Sequence, residues 1–551
     1  MNSNELQAVL RWPEQLEKLP PCQDACPSRN DIRGWIAAIA QSKIEGPGRE
    51  DVFTLAWNRL VSTNPFPATM GRICPAPCET RCNRHHKDGA VAIHALERYI
   101  GDWALRNRLA LPLLDGNPQP ESIGVIGAGP AGLSFACQMA RRGYRVSVYE
   151  AAPEPGGMLR YGIPEYRLPK HVRDGEIQRI LNLGVDLMLN TRIGRDVALA
   201  ELYTRHGRLF LGIGAQQGRS LRIPGEEGPG VWNGVDFLSR VHRGQYVAVG
   251  GRAAVIGGGN SAINAARVAR RKGAEVFLLY RRTRDEMPAI DTEIEDALQE
   301  GVNIEYLATP REVLREGGRI RAIRVQKMQL ARTDTTGRRR PVPIAGAEYD
   351  LPVDSVIAAI SQEPVWDNLG ELNPRGTWME CDATGRVDSQ LWAGGDIRGL
   401  GIASRAIAQG GQAAEAMHAQ LRGLAAIEST LGLAITADQI QLDYYAEQSP
   451  VKLPARPPEE WLTEPDREIC QTIPEDGFQQ EISRCFSCGL CFGCQHCWMY
   501  CDPSSYTRLQ EPGPGAYFSL DLESCEACGK CIDVCPCGFL SLRETAQAST
   551  A

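Results

Sequence analysis

The spacing of the cysteines constrains this chain more than any other feature. Five of its 19 cysteines lie between Cys22 and Cys82, and eleven lie between Cys485 and Cys537. The C-terminal group runs Cys491-x2-Cys494-x2-Cys497-x3-Cys501, then Cys525-x2-Cys528-x2-Cys531-x3-Cys535-Pro536. Each trio can wrap one [4Fe–4S] cluster while its fourth cysteine crosses to the other. Cys491, Cys494, Cys497 and Cys535 are therefore assigned to one cluster, and Cys525, Cys528, Cys531 and Cys501 to a second. The proline usual after the first quartet is displaced to Pro503. Structural zinc sites place paired CxxC units farther apart. Cys485-x2-Cys488-x2-Cys491 is an alternative trio, but only the later register ends in the x3 spacing. Cys485, Cys488 and Cys537 are read as thiols outside the ligand sets.

The N-terminal group is Cys22, Cys26, Cys74, Cys78 and Cys82, in turns between amphipathic helices expected near 31–39 and 52–61. Five cysteines, with Glu97 as a further donor, can hold one cluster. They cannot fill two, because each needs four ligands. No secretion signal precedes them, so clustered cysteines point to metal ligation more than to disulfides.

Between these groups the chain changes character. Ile123–Ile126 reads as a buried strand, Ala131–Arg142 as a helix and Arg145–Glu150 as a second strand. Their turn is Gly127-Ala128-Gly129-Pro130-Ala131-Gly132. Gly127 permits the tight turn, Gly129 lets the backbone approach a pyrophosphate, and Gly132 lets helix and strand pack closely. Glu150 falls where a carboxylate grips ribose hydroxyls. A second unit follows at 253–282 with Gly257-Gly258-Gly259-Asn260-Ser261-Ala262. Its second strand ends in Arg281-Arg282 rather than an acid. Arginines there suit the 2′-phosphate of NADPH, or are a solvated surface pair. Two such sites in one chain imply a flavin and a pyridine nucleotide, NADP(H) or NAD(H). Gly394-Gly395-Asp396, ahead of a helix from Ala403 to Leu421, is the expected return to the flavin domain. Asp396 either bonds the ribityl chain of FAD or caps a helix. Residues 140–380 contain no cysteine, which excludes a thiol relay from this flavin.

Charge narrows the partners. Lys and Arg number 60 against 67 Asp and Glu, a net charge of −7. A mildly acidic chain has no basic surplus for nucleic acid, and no apolar run is long enough for a membrane span. A cytoplasmic location is expected.

Further motifs are Asn64-Pro65-Phe66-Pro67, Gly71-Arg72-Ile73-Cys74-Pro75, Gly156–Pro164, Arg167-Leu168-Pro169-Lys170, Tyr280-Arg281-Arg282-Thr283 and Glu286-Met287-Pro288. With them, residues 20 to about 420 resemble the small (β) subunit of glutamate synthase and the N-terminal half of dihydropyrimidine dehydrogenase. The added tail makes the chain similar to iron–sulfur flavoproteins such as the NAD(P)H:acceptor oxidoreductase of dissimilatory sulfur oxidation. The resemblance implies FAD near Gly157, Met158, Arg160, Tyr161 and Ile163, and an N-terminal [4Fe–4S] cluster on Cys26, Cys74, Cys78 and Glu97. A second N-terminal cluster would use Cys22 and Cys82 with two upstream cysteines, where this chain has Glu14 and Glu17.

The expected fold is α/β. Two Rossmann-type domains of the pyridine nucleotide-disulfide oxidoreductase type stand between an N-terminal α-helical Fe–S domain and a C-terminal α+β bacterial ferredoxin-like domain. The expected boundaries are 1–118 for the helical domain, 119–240 and 346–425 for the two parts of the FAD domain, and 241–345 for the NAD(P)H domain. A linker at 426–480 leads to the ferredoxin domain at 481–551. The expected function is electron transfer between NAD(P)H and an iron–sulfur partner enzyme or ferredoxin. Hydride transfer at flavin N5 needs no acid–base residue, and FAD converts two-electron to one-electron chemistry. One rival reading is an obligate electron-wiring subunit, of the 2-oxoacid:acceptor oxidoreductase or glutamate synthase type, with no independent activity. Assembly stays open between a homodimer and a larger complex. The eight acidic and four basic residues of 481–551 suit a basic docking surface or a solvated face.

Overall fold

The computed structural model describes residues 10–41, 48–333, 339–373, 376, 378–425 and 432–545. They form two compact units, one of residues 110–424 and 454–471, the other of 1–109, 425–453 and 472–551.

The first unit holds two parallel five-stranded sheets. One runs Leu391–Ala393, Arg208–Leu211, Ser122–Ile126, Arg145–Tyr149, Asp186–Met188. The other runs Asn303–Tyr306, Glu275–Tyr280, Arg252–Ile256, Ser355–Ala358, Val231–Asn233. The inner strands of both are apolar and buried, as sheets covered on two faces require. The chain leaves the first sheet after Leu211, builds the second, and returns at Leu391. Antiparallel pairing of Gln217–Gly218 with Gln362–Glu363 ties the outgoing and returning segments. Beyond the second sheet's Asn303–Tyr306 the chain builds an antiparallel sheet of Ala308–Glu316, Arg319–Thr333 and Arg339–Pro352. Between Arg339–Pro352 and Ser355–Ala358 the chain turns at Val353–Asp354. There Asp354 turns its carboxylate back to accept from Arg252 N–H at 2.9 Å.

Segment 454–471 looked like connector because its apolar residues lack a period. Trp461 and Ile469 nevertheless enter the core of the second sheet. Trp461 donates its indole N–H to Arg456 O at 2.8 Å. Nearby, Arg267 and Glu300 are wholly buried and paired at 2.7 Å. Arg271 also bonds Glu300, at 2.7 Å. Both guanidinium groups lie over the Tyr166 ring, at 4.6 and 3.7 Å.

The second unit is mostly helical, with Ile32–Gln41, Arg49–Leu60, Pro67–Ile73 and Ile93–Arg106 packed around Trp35, Trp57 and Phe53. Gly71 and Gly101 let Pro67–Ile73 and Ile93–Arg106 touch. A Cβ at Gly71 would stand 2.4 Å from Arg98 N, and one at Gly101 2.3 Å from Ala68 N. The strand Leu10–Gln15 pairs antiparallel with Leu540–Thr545. The helix Glu475–Arg484 ends in a buried knot. Arg484 bonds Glu481, Asp88 and the carbonyls of Gln448, Gly89 and Ala90.

Replacing Glu300 by Ala strands two buried guanidinium groups. The expected loss is about 3–5 kcal/mol, read as a lower melting temperature with FAD content measured alongside.

Candidate cofactor and cluster sites

The first glycine turn joins Ser122–Ile126 to the helix Pro130–Ala140, with Gly129 at the N-cap and Pro130 at the first helical position. Gly127 has φ 101°, and a Cβ there would meet Gly212 O at 2.5 Å. A Cβ at Gly132 would sit 1.9 Å from Gly127 O, so helix and strand meet only because both are glycine. A Cβ at Gly129 would have no heavy atom closer than 4.0 Å, which leaves its face open to a ligand. Ala131 is buried against the helix Ala403–Arg422, where Gly410 approaches Ala131 O. Glu150 accepts from Ala128 N–H at 2.7 Å and Ala152 N–H at 2.8 Å, and burial raises its pKa.

The segment predicted to lie along the flavin folds back onto this turn. Gly156 N–H donates to Ala128 O at 2.7 Å, and Gly157, with φ 53°, stands close to Gly129. Met158, Arg160 and Tyr161 lie on the helical turn Met158–Tyr161, with the partly buried Ile163 just beyond. Arg160 pairs with Glu154 and Asp174 at 2.9 and 2.5 Å. Tyr161 lies under Arg243 at 4.5 Å, and its carbonyl bonds His242 Nδ1 at 2.9 Å. Gly395, with φ 81°, donates its N–H to the Gln409 side chain at 2.7 Å. Asp396 accepts from Gly401 N–H at 3.1 Å, and burial pushes its pKa up to about 6. This half-buried carboxylate has room for further donors, as the hydroxyls of a ribityl chain would be.

The second turn leads into the helix Asn260–Arg271. Gly257 has φ 146°, and its Cβ position is blocked by Ala359 O at 2.3 Å. At Gly259 the Cβ position is open. Ala262 is wholly buried and fills the place of a third glycine. Asn260 accepts from Ile290 N–H at 2.9 Å, and Ser261 bonds Gln362 at 3.3 Å. Arg281 is exposed, whereas Arg282 is buried and donates to Arg339 O at 3.0 Å. Both turns present unblocked glycine backbone at the N-terminus of a long helix, and so fit the pyrophosphates of FAD and a pyridine nucleotide.

Among the described residues no three His, Cys, Asp or Glu side chains meet at a single-ion site. The cysteine groups are looser electrostatic neighbourhoods. Burial, then the charges of Cys494 and Cys535, raises Cys491 to about 11. Burial, then Cys491, Cys494 and Cys535, raises Cys497 to about 12. Cys531 is raised by burial and neighbours Cys525, Cys528 and Cys501. Cys535 is thus an electrostatic neighbour of Cys491 and Cys497, and Cys501 of Cys531. At the other end, Cys78 is raised by burial and neighbours Glu79, Cys26 and Glu97. Cys74 caps the helix Pro67–Ile73, and Glu97 accepts from the Asn64 amide at 2.7 Å. These thiols fit cluster ligation, since iron displaces the thiol proton that burial otherwise holds on.

Residues 121–410 match the family described as pyridine nucleotide-disulphide oxidoreductase. The chain belongs to this family. Residues 17–109 match dihydropyrimidine dehydrogenase domain II with its 4Fe-4S cluster, and 518–541 a 4Fe-4S binding domain. The chain is therefore an oxidoreductase with FAD- and NADPH-binding domains and 4Fe-4S domains. It is 32 % identical to the NADPH glutamate synthase small chain of Escherichia coli, over 72 % of this chain and 87 % of that one. It is 38 % identical to the NADPH-Fe(3+) oxidoreductase subunit beta of Geobacter sulfurreducens, over 64 % of this chain and 52 % of that one. Identity is also 38 % to the NADP(+)-dependent formate dehydrogenase subunit beta of Moorella thermoacetica, over 73 % and 60 %. The chain thus spans little more than half the length of these last two relatives. No helix among the described residues is long and apolar enough to cross a membrane.

Asp396 supplies a pH-dependent prediction. Its pKa, raised to about 6 by burial, means that the carboxyl of the apoprotein ionises around pH 6 rather than in the usual carboxylate range. Hydroxyl donors favour the ionised form, so FAD affinity of the apoprotein should rise from pH 5 to pH 7. Asp396→Asn should flatten that rise and weaken binding about tenfold, from loss of a charged hydrogen bond worth about 1.5–3 kcal/mol. Flavin fluorescence titration at both pH values checks this.

Proposed function

We propose that this chain is the pyridine-nucleotide module of a redox assembly, moving electrons between NAD(P)H and an iron–sulfur partner protein. The observation that carries the reading is the division of chemistry between units. Both glycine turns lie in one, and both cysteine groups lie in the other. The cysteines of the nucleotide unit are Cys137, Cys381 and Cys470, far apart in sequence and in no CxxC motif, so this reading sends the electrons elsewhere than to a redox dithiol. A bound flavin supplies the conversion between hydride and single-electron chemistry. The chain's residues bind and orient. The two helix N-termini hold pyrophosphates, Glu150 faces a ribose, and Asp396 holds the ribityl chain. Arg281 pairs with a 2′-phosphate. The acidic C-terminal region supports a partner with a basic docking surface.

A second reading rests on the Geobacter and Moorella relatives, both named as beta subunits. In it the chain conducts only inside a complex. Anaerobic addition of NADPH to the isolated chain separates the two. Bleaching of flavin and cluster absorbance supports an independent NADPH oxidoreductase, and an unreduced flavin supports the second reading. Arg281→Ala should raise KM for NADPH about tenfold, the loss of one charged phosphate contact, and leave NADH kinetics unchanged.

A further inference from the structure

Of the cysteines left once the clusters above are assigned, four are electrostatic neighbours of one another. Cys22 has Cys82, Cys485 and Cys488 as electrostatic neighbours. Cys485 neighbours Cys82, and Cys488 neighbours both Cys485 and Cys82. Cys22 comes from the N-terminal helical turn Pro21–Ala25, Cys82 from a nearby loop, and the other two from a loop roughly 400 residues later. We propose that Cys22, Cys82, Cys485 and Cys488 ligate a further [4Fe–4S] cluster, assembled from both ends of the chain.

The loop is fixed in place by backbone contacts. Lys18 N–H donates to Gly489 O at 3.1 Å, and Gly489 N–H to Cys537 O at 2.7 Å. Arg84 donates to Arg484 O at 2.5 Å and lies over the Phe486 ring at 4.9 Å. Ser487 and Gly489 take left-handed conformations, φ 53° and 70°, which curl the chain between and after the two thiols. Both sulfurs accept hydrogen bonds, Cys485 from Ser487 N–H at 3.5 Å and Cys488 from the Asn83 amide at 3.7 Å. Donors of this kind stabilise a ligating thiolate.

Charge balance points the same way. Arg33 is 2 % exposed, donates to Lys18 O at 2.6 Å and Cys488 O at 2.7 Å, and reaches Glu17 with its other end. Its Nε has no hydrogen-bond partner. Arg33 is an electrostatic neighbour of Cys22, Cys485 and Cys488. The half-exposed Glu17 carboxylate pairs with one end of this buried cation, and a cluster on four thiolates, being anionic, would add negative charge beside it.

The placement gives the cluster a role. Cys22 is an electrostatic neighbour of Cys78 in the N-terminal site. On the other side, Tyr445 neighbours Cys485 and Cys488 of this site and Cys535 of the first ferredoxin site. Its hydroxyl donates to Phe486 O at 2.8 Å. The composite cluster therefore stands between the N-terminal cluster and the ferredoxin pair, and joins them into one row of four. Cys485-x2-Cys488 takes the part that Glu14 and Glu17 cannot.

The proposal rests on the clusters assigned above, and anaerobic iron, acid-labile sulfide and FAD analysis of the full chain tests the two separately. The total reports the assigned clusters, and the change on substitution reports this one. About sixteen irons per chain are expected, four in each of four clusters. Cys22→Ser, Cys82→Ser, Cys485→Ser and Cys488→Ser should each remove about four irons, or convert one cluster to a [3Fe–4S] form with its own electron paramagnetic resonance signal. FAD should stay at the wild-type level. Cys82→Ser with Cys488→Ser should also remove only about four, because both thiols serve one cluster, whereas ligands of separate clusters would remove about eight. Cys537→Ser should remove none. Iron content and cluster spectra unchanged in Cys485→Ser and Cys488→Ser would overturn the proposal.

Discussion

The cysteine-bearing unit depends on one buried guanidinium. Arg484 is fully enclosed, as is its partner Glu481. Its donors are spent on Glu481, Asp88 and three backbone carbonyls, and Glu481 accepts from Ala92 and Val451 N–H. Such a pair, complete in its hydrogen bonds, is strongly destabilised by loss of either member. It fastens three stretches distant in sequence, 88–92, 448–451 and 481–484. The next residue after the knot is Cys485, so the start of the cysteine loop is set before any metal binds.

The nucleotide-binding half was legible because its constraints are local. A glycine turn between a strand and a helix is imposed by the atoms around it, such as Gly127 O against Gly132, and so leaves its mark in a short span of sequence. The ferredoxin spacing is legible for the same reason. What escaped reading is non-local. No period marks 454–471, because Trp461 and Ile469 each fill a separate gap in a core formed by other segments. The strand Leu10–Gln15 is polar, and its partner lies at the opposite end of the chain. Cys485 and Cys488 looked surplus because spacing along the chain cannot reveal thiols contributed from elsewhere. The one available sign was arithmetic: Cys22 and Cys82 lacked two companions, and of the three C-terminal thiols left over two stood in a CxxC pair.

The two units solve the problem of holding anions differently. The nucleotide unit uses helix ends and bare backbone, partial charges that need no desolvated ion. The cysteine unit uses whole guanidinium groups, Arg33, Arg84 and Arg484, sunk among the thiols. A phosphate arrives with its own charge and leaves again, whereas a resident cluster needs a permanent countercharge, and these arginines are held in place for it by the carboxylates of Glu17, Asp88 and Glu481.

Pairing between the two ends of the chain also sets an order of events at the ribosome. Cys22 and Cys82 emerge roughly 400 residues ahead of Cys485. At about 5–20 residues per second that interval is about 20–80 s. The whole nucleotide unit, segment 454–471 included, emerges within it. Cys22 and Cys82 wait as unligated thiols throughout, so completion of the shared site is a late step, and a ribosome that stalls before Cys485 releases a chain that carries both glycine turns but cannot complete that site.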